Sequence, residues 1–447
     1  MELNQTIQLT IHDIGNNGEG VGSYEGCTVF VEGALPGEEV EVSVFQCKKN
    51  YARAKLLSIL TPSPDRVKPA CPLFEQCGGC QIMHLSYDKQ LEIKQKKVRE
   101  ALHRIGKITN VDVPPCLPSP LPFAYRNKIQ LPVRLKNEEI TLGLYARSSH
   151  DLIEIDHCLI HCELGEEVYN SVRQIIKNSK LTIYDPITAK GELRHVLIKS
   201  AIYTREVLVI LVTNGEASRE LIEIAKKIQN ECLQVKGIVQ NINIRRDNVI
   251  LGKKYYTLTG QNFVHEKVCG LVFKISPASF FQVNTQQAEC LYAKALELAH
   301  LQGSEVVLDA YCGVGTLSLI FARCAKEVIG VECLNEAIKD AEDNAKMNGI
   351  ENVSFVCANV EDFVKKQTAV DLLLLNPPRQ GCDPSFLEKI GKLQPKTIIY
   401  ISCDPATLAR DLVILYSHKY TITTIQPYDM FPQTAHVESV VKLERHE

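Results

Sequence analysis

The sequence predicts an α/β protein. Its carboxyl-terminal part forms a doubly wound parallel sheet, preceded by a small all-β barrel and a central α+β segment. Three observations predict this. From about residue 285, segments with helical and strand periodicity alternate regularly, as in a parallel sheet covered by helices on both faces. Residues 1–60 are rich in Val, Ile, Thr and Gly and are broken by the turn signals "GNNGEG", "EG" and "LPGEE", which suits the short strands of a barrel. Two proline-rich breaks, "TPSPDRVKPACP" (61–72) and "VPPCLPSPLPF" (113–123), punctuate the chain. At 447 residues, a prior of roughly 150 per domain allows about two to four domains. The expected boundaries are 1–61, 62–275 and 276–447, with the segment of about 85–113 expected to pack on the last unit.

In the carboxyl-terminal part the helix "TQQAECLYAKALELA" leads to the strand "EVVLDA" and a glycine turn. The helix "TLSLIFARCA", strand "EVIGVE" and helix "NEAIKDAEDNAKMNG" follow, then strands "VSFVCA", "DLLLLN" and "TIIYIS" with helices between them. Two final strands lie near "YTITTIQ" and "VESVVKLER". Earlier, Leu91, Val98, Leu102 and Ile105 fall near helical spacing. That helix, over 87–107, carries Lys89, Lys94, Lys96, Lys97, Arg99, Arg104 and Lys107 against Asp88, Glu92 and Glu100, the strongest local basic patch. A solvated helix face is the favoured reading of it. Residues 124–260 mix short strands and helices without a motif legible from first principles.

The 50 Lys and Arg against 53 Asp and Glu give a net charge of −3, so global charge offers no support for nucleic-acid binding and any such footprint must be local. "MELNQTIQLT" has no basic and no apolar stretch of a secretory signal, and no apolar run approaches the ~18 residues of a membrane span. The compact run "VLVILVT" (207–213) fits a buried strand. A cytosolic protein is expected, where disulfides are rare. The 17 cysteines are then mostly buried thiols, with a minority in metal or catalytic work.

"VLDAYCGVGTLSL" ends a strand at Asp309 and turns through Gly313 and Gly315 into a helix. Glycine lets the backbone turn tightly and approach a ligand. Glu332 ends the next strand, 23 residues on, where a carboxylate can accept hydrogen bonds from ribose hydroxyls. The third glycine of a dinucleotide fingerprint is missing, and an acidic residue before the turn suits a cationic sulfonium. S-adenosylmethionine is therefore favoured over NAD. Cys312 reads as a packing residue. "NPPRQG" (376–381) presents Asn376 rigidly, since two prolines stiffen the loop. A rival reading is an amino-methyltransferase acting on adenine or guanine, which uses a similar N-P-P-aromatic stretch, but Arg379 occupies the aromatic position.

"TIIYISCDPATLARD" (397–411) puts Cys403 past a buried strand and just before a helix expected to begin near Pro405. Ligands of doubly wound sheets bind at this end of the strands. An exocyclic nitrogen needs no thiol to accept a methyl group, whereas carbon 5 of uracil is a poor nucleophile. Thiolate addition at carbon 6 generates an enolate that makes carbon 5 reactive, and a base must then remove the carbon-5 proton. A helix amino terminus is expected to lower the pKa of Cys403. Glu438, in "TAHVESVV", is the candidate base and His436 the alternative.

"DAYCGVGTLSL", "NPPR", "YISCDPATLARD" and "HVESV" together resemble, in order and spacing, the motifs of the RNA uridine-5-methyltransferases, and the resemblance spans nearly the whole chain. It implies a class I S-adenosylmethionine-dependent methyltransferase domain, Rossmann-like, with Cys403 as nucleophile and Glu438 as base. The implied cofactor contacts are Gln282 (in "SFFQVN"), Tyr311, Glu332, Asn376, Asn359 and Thr316. Many members have Asp where Asn376 stands, so a proton-transfer role is not carried over to it. The amino-terminal barrel resembles a TRAM domain, an OB-like RNA-binding module. "YRNK" (125–128) resembles a stretch of the family's central domain, with Arg126 and Lys128 as possible phosphate contacts. The implied substrate is structured RNA, with 23S ribosomal RNA favoured over transfer RNA, and a monomer is expected.

"CPLFEQCGGC" gives Cys71, Cys77 and Cys80, spaced C-x5-C-x2-C, unlike the C-x3-C-x2-C of radical S-adenosylmethionine enzymes. A fourth ligand must come from elsewhere: Cys158 or Cys162 in "DHCLIHC", His157 or His161 beside them, or His84. Spacing does not separate zinc from an iron–sulfur centre. The family resemblance implies a [4Fe–4S] cluster on Cys71, Cys77, Cys80 and Cys158, bracing a central iron–sulfur domain.

Overall fold

The structure, a computed structural model, describes residues 1–147, 149–365 and 370–446. Five strands close the amino-terminal barrel: β1 (Thr6–Ile14), β2 (Gly20–Tyr24), β3 (Cys27–Glu32), β4 (Glu39–Cys47) and β5 (Tyr51–Thr61), in the order β1-β2-β3-β5-β4. Alternate residues point inward, as the two-residue period of a strand demands. Ile7, Leu9 and Ile11 of β1 meet Val29, Val31, Val40, Val42 and Val44 in the interior. Buried Glu38 ties the barrel to the proline-rich linker, accepting from the backbone N–H of Leu35 and Ser63 and from the Arg66 guanidinium. Burial alone would raise its pKa, but Arg66 and the backbone donors outweigh it and the carboxyl is held low.

Helix α1 (Tyr87–Arg104) precedes the central sheet in sequence but packs on the carboxyl-terminal unit. Its buried Val98 and Leu102, with Ile108 beyond it, share a core with Leu408 and Leu412. This placement corrects the solvated-face reading of its basic residues. Lys94 is fully buried and donates to Asp429 and to the Phe431 carbonyl. Lys96 pairs with Asp13 of the barrel, and Lys97 donates to the carbonyls of Asn16 and Ala435. Three lysines of the patch thus join the barrel and α1 to the carboxyl-terminal unit.

The central sheet comprises β6 (Lys128–Lys136), β7 (Glu139–Tyr145), β8 (Leu152–Glu154), β9 (Leu193–Ser200), β10 (Val207–Thr213), β11 (Val235–Ile242) and β12 (Lys254–Gly260). Its order is β12-β11-β10-β9-β6-β7-β8. Helices α2 (Glu163–Lys177) and α3 (Arg219–Glu231) cover one face. Strand β10, "VLVILVT", is buried at every position. Val207, Val209 and Leu211 face the helices, while Leu208, Ile210 and Val212 enter a second core on the other face. A hairpin, β13 (Val264–Val268) with β14 (Leu271–Ile275), leads into the last unit.

That unit contains α4 (Thr285–Ala299), β15 (Val306–Asp309), α5 (Thr316–Ala322), β16 (Glu327–Glu332), α6 (Asn335–Met347), β17 (Val353–Cys357), α7 (Val360–Phe363), β18 (Leu372–Leu375), α8 (Pro384–Leu393), β19 (Thr397–Ser402), α9 (Pro405–Ser417), β20 (Tyr420–Tyr428) and β21 (Glu438–Arg445). The strand order is β17-β16-β15-β18-β19-β21-β20. β15 to β19 run parallel, and β21 lies antiparallel between β19 and β20. The order reverses between β15 and β18, which opens a crevice at the carboxyl ends of those strands. Among the described residues, no helix is long and apolar enough to cross a membrane.

Candidate active site

The residues singled out for a cofactor gather along one edge of this sheet. Tyr311, Asn359 and Asn376 follow the carboxyl ends of β15, β17 and β18, Glu332 ends β16, and Thr316 opens α5. The turn between β15 and α5 depends on Gly315, which takes φ +83° and caps the helix without a side chain. A Cβ there would lie 2.9 Å from the Phe355 ring, so the position admits only glycine without repacking. The first N–H groups of α5 therefore receive no side-chain cap. Asp309 is fully buried, accepts from Ser318 Oγ, and keeps Oδ1 without a partner. Burial pushes its carboxyl up to about 6, against the Ser318 hydrogen bond.

Glu332 accepts from Cys333 Sγ and Leu334 N, both through Oε1. Asn359 caps α7 by position, but its side chain makes no capping bond. Asn376 is half-buried at the mouth of the crevice. Tyr311 packs edge-on against Phe386. Gln282 comes from the segment before α4. It is buried, its carbonyl accepts from Asn127 of the central unit, and its side chain reaches Tyr292, which lies in the field of both Glu438 and Asp309.

Cys403 and Glu438 are brought together by strand pairing. Ser402, the last residue of β19, pairs with Ser439 of the antiparallel β21, and Cys403 and Glu438 flank that final rung, near enough for the Glu438 charge to act on the thiol. The thiol is not the low-pKa group that its place before a helix suggests. Asp404, one residue on, is the N-cap: its Oδ1 accepts from Ala406 N and Thr407 N, and Pro405 fills the first turn. The donors that would have lowered the thiol pKa are already taken. Burial pushes Cys403 up to about 11, followed by the negative charge of Glu438, with Arg379 opposing both. Glu438 is 2 % exposed, and its Oε2 has no hydrogen-bond partner. Burial pushes this carboxyl up to about 8, and Arg379 is the charge that restrains it.

His436, the alternative base, is pushed down to about 4 by burial and then by Arg379, Lys97 and Lys94. That makes its imidazole a weak base, whereas the Glu438 carboxylate, once ionised, is a much stronger one, so Glu438 is the better candidate. Sequence reasoning used Arg379 only as the residue that displaces an aromatic, whereas among the described residues it is the cation that acts on both reacting groups. The signal that could have found it is its place in the proline-stiffened loop facing Cys403. That loop is held from α9. Asp411 accepts from Cys382 N and Tyr400 Oη, Arg410 donates to the carbonyls of Gln380 and Cys382, and Thr407 Oγ1 donates to the Arg379 carbonyl.

The four thiols assigned to a cluster are also neighbours. Cys80 is pushed up first by burial and then by Cys158, Cys77 and Cys71, and Cys158 in turn feels Cys77. Three of the competing ligands are engaged elsewhere, while His84 is buried with both ring nitrogens without a hydrogen-bond partner among the described residues. Cys162 caps α2 by accepting from Gly165 N, while His157 and His161 lie at 3.2 and 2.8 Å from the carboxylate of Glu166. His84 packs on Phe74 among Arg66, Arg147 and Glu38. Arg147 braces the loop, donating to the carbonyls of Phe74, Cys77 and Cys80 and lying over the Phe74 ring. Four soft thiolate donors in one another's field fit an iron–sulfur centre or zinc chemically. As placed, however, no three or more His, Cys, Asp or Glu side chains converge to metal-holding geometry among the described residues.

The strand order, the uncapped glycine turn at the switch point and the row of polar residues beside it define a class I S-adenosylmethionine-dependent methyltransferase carrying an amino-terminal RNA-binding barrel. Residues 86–446 match the family described as tRNA (Uracil-5-)-methyltransferase, and residues 2–57 match the TRAM domain. The chain belongs to that family and is an RNA methyltransferase. It is 42% identical over 445 residues to an uncharacterized RNA methyltransferase of Clostridium tetani, covering 99% of this chain and 96% of that one. An uncharacterized RNA methyltransferase of Clostridium acetobutylicum is 43% identical, covering 100% and 98%. Among solved structures, the Pyrococcus abyssi tRNA (uracil-54, C5)-methyltransferase in complex with S-adenosyl-L-homocysteine superposes with a TM-score of 0.79 at 28% identity, covering 98% of this chain and 99% of that one.

Proposed function

We propose that the protein methylates carbon 5 of a uridine in structured RNA, 23S ribosomal RNA in preference to transfer RNA, through a covalent adduct between Cys403 and carbon 6. The observation that carries this reading is the thiol set beside a buried carboxyl at the last rung between β19 and β21. Bound S-adenosylmethionine supplies an electrophilic sulfonium methyl group. Gln282, Tyr311, Glu332, Asn376, Asn359 and Thr316 would hold it along the sheet edge. The Cys403 thiol gives its proton to solvent and the sulfur forms its bond to carbon 6, while the pyrimidine electrons move toward carbon 5; carbon 5 would then take the methyl group as the methyl–sulfonium bond breaks, its electron pair staying on the departing thioether sulfur. Glu438 then removes the carbon-5 proton, the electron pair re-forms the carbon 5–carbon 6 double bond, and the Cys403–carbon 6 bond breaks. Because the thiol rests protonated, the step needs the nearby Arg379 cation to favour the anionic sulfur. The target base must leave its stack to reach this crevice.

Cys71, Cys77, Cys80 and Cys158 would hold a [4Fe–4S] cluster, supported by the four thiols lying in one another's field and by the engagement of Cys162, His157 and His161 elsewhere; as placed, the four would have to draw together to bind it. The pairing of this cysteine arrangement with a TRAM domain favours ribosomal RNA. The likeness to the Pyrococcus abyssi tRNA (uracil-54, C5)-methyltransferase favours transfer RNA as the second reading. We place the protein in the cytoplasm as a monomer.

Incubation with 5-fluorouridine-substituted ribosomal and transfer RNA tests both points. Fluorine does not leave as a proton does, so a Cys403–RNA complex accumulates, and mapping the linked nucleotide gives the target. A Cys403→Ala protein that still transfers methyl groups at the native rate would instead support the amino-methyltransferase reading of "NPPR".

A further inference from the structure

Between β20 and β21 runs a nine-residue connection, 429–437, that ends where Glu438 begins. Pro432 and the local bonds of Thr434 to the Phe431 carbonyl and of His436 N to Thr434 Oγ1 shape parts of it, but Gln433 at its centre takes a left-handed φ of +69° that none of them imposes. A non-glycine residue stays there only where its surroundings over-determine it. The surroundings come from three other parts of the chain, one of them the proline-rich segment, where the Pro122 carbonyl accepts from Gln433 Nε2 at 3.3 Å. The N–H groups of Gln81 and Ile82, directly after Cys80, both donate to the Gln433 carbonyl, at 3.1 and 3.2 Å. Gln90 of α1 reads the same residue twice: its Oε1 accepts from Gln433 N at 3.2 Å, and its Nε2 donates to Gln433 Oε1 at 3.1 Å. Gln90 and Gln433 are 1 % and 3 % exposed. On either side, Tyr125 Oη donates to the Pro432 carbonyl and Lys97 to the Ala435 carbonyl.

Glu438 itself has no such support, since its Oε2 meets no hydrogen-bond donor. Its aim at the crevice therefore depends on the backbone that delivers it. We infer that Gln90 and Gln433 are positioning residues for the reaction, forming with the thiol-bearing loop a clamp that aims the Glu438 carboxylate at the carbon-5 proton. This rests on the assignment of Glu438 as the base. It places the thiol loop in the catalytic apparatus as a brace on the proton-removing step, separate from the step of thiol addition.

The two steps are separable by experiment. Thiol addition and methyl transfer on 5-fluorouridine RNA do not require Glu438, whereas release of product from ordinary uridine RNA does. Full-length holoenzyme carrying Gln90→Ala, or Gln433→Gly, which keeps the left-handed backbone and loses only the side chain, is compared with the native protein. The expected result is native affinity for S-adenosylmethionine and native formation of the 5-fluorouridine complex. Turnover on ordinary RNA falls about tenfold or more, as expected for a reacting group displaced by a fraction of an ångström to an ångström. A covalent complex with ordinary RNA, stable in denaturing gels, accumulates in both variants and not in the native protein. Native turnover in both variants overturns the clamp, and so does a parallel loss of complex formation and turnover, which marks general loosening. A native protein that forms no 5-fluorouridine complex overturns the underlying reading of Cys403, and the clamp with it.

Discussion

Replacing Glu438 with Gln separates the cost of the candidate base from its use. The carboxyl is nearly inaccessible, and burial pushes it up to about 8 from an ordinary value of 4.5. An acid whose folded-state pKa is raised ionises first in the unfolded chain. Native stability therefore falls as pH rises from about 4.5 to about 8 and is level beyond. At 1.36 kcal/mol per pH unit, the carboxyl costs the fold about 4 kcal/mol at pH 7.5 and almost nothing below pH 4.5. Glutamine has nearly the same shape and no such slope. Glu438→Gln should therefore melt with the native protein near pH 4.5 and above it at pH 7.5, by roughly 8–16 °C for a unit of this size. Differential scanning calorimetry across this range, run beside methylation assays, reads both effects. The stabilised variant should also stop at the covalent stage, holding RNA on Cys403. A melting difference between the two proteins that stays constant from pH 4.5 to 8 would refute the reasoning, because the carboxyl would then not be the destabilised group its burial makes it.

Other consequences follow from the same geometry. Because Cys403 is pushed up to about 11, its alkylation by iodoacetamide in the free protein should be slow at pH 7.5 and quicken about tenfold per pH unit, followed by mass spectrometry of its peptide. A rate already level at pH 7 would mean a preformed thiolate. Gly381 has φ +77°, and a Cβ there would lie 2.6 Å from Arg410 Nη2 and from Asp411 Oδ2. Gly381→Ala should displace the loop that carries Arg379 and lower kcat about tenfold, as read in steady-state methylation assays. Lys94 and Asp429 are both fully buried. Lys94→Met strands the carboxylate and should cost about 3–5 kcal/mol in denaturation, largely restored by adding Asp429→Asn.

The alternation of strands and helices after residue 285 was legible because periodicity is a local property. So was the row of polar residues at strand ends, since a parallel α/β order dictates which end carries the ligand. The run "VLVILVT" read as a buried strand, and only the fold shows that its odd and even residues enter two different cores. Cys403 was legible as a thiol at a strand end, but its pKa was misread. A helix amino terminus lowers a thiol only when its N–H groups are free, and Asp404 occupies them. The lysines of α1 were misread for a related reason: Lys94 meets Asp429, its ion-pair partner, 335 positions away. Of the possible ligands in "DHCLIHC", composition offered four, and burial and capping left Cys158 beside the other thiols.

The order of residue types along the chain determined the chemistry available: a thiol, a carboxyl, a glycine turn and a sheet with a switch point. The tertiary structure decided the state of each group. Whether a thiol or carboxyl carries charge depends on which neighbours share its low-dielectric surroundings, and those neighbours are distant in sequence. Glu438 lies beside Cys403 because one strand inserts antiparallel between two others, and it is held there by residues from the thiol loop and α1. Pairings of that kind are properties of the packed chain, since the free energy that fixes them comes from burial and hydrogen bonds between distant segments.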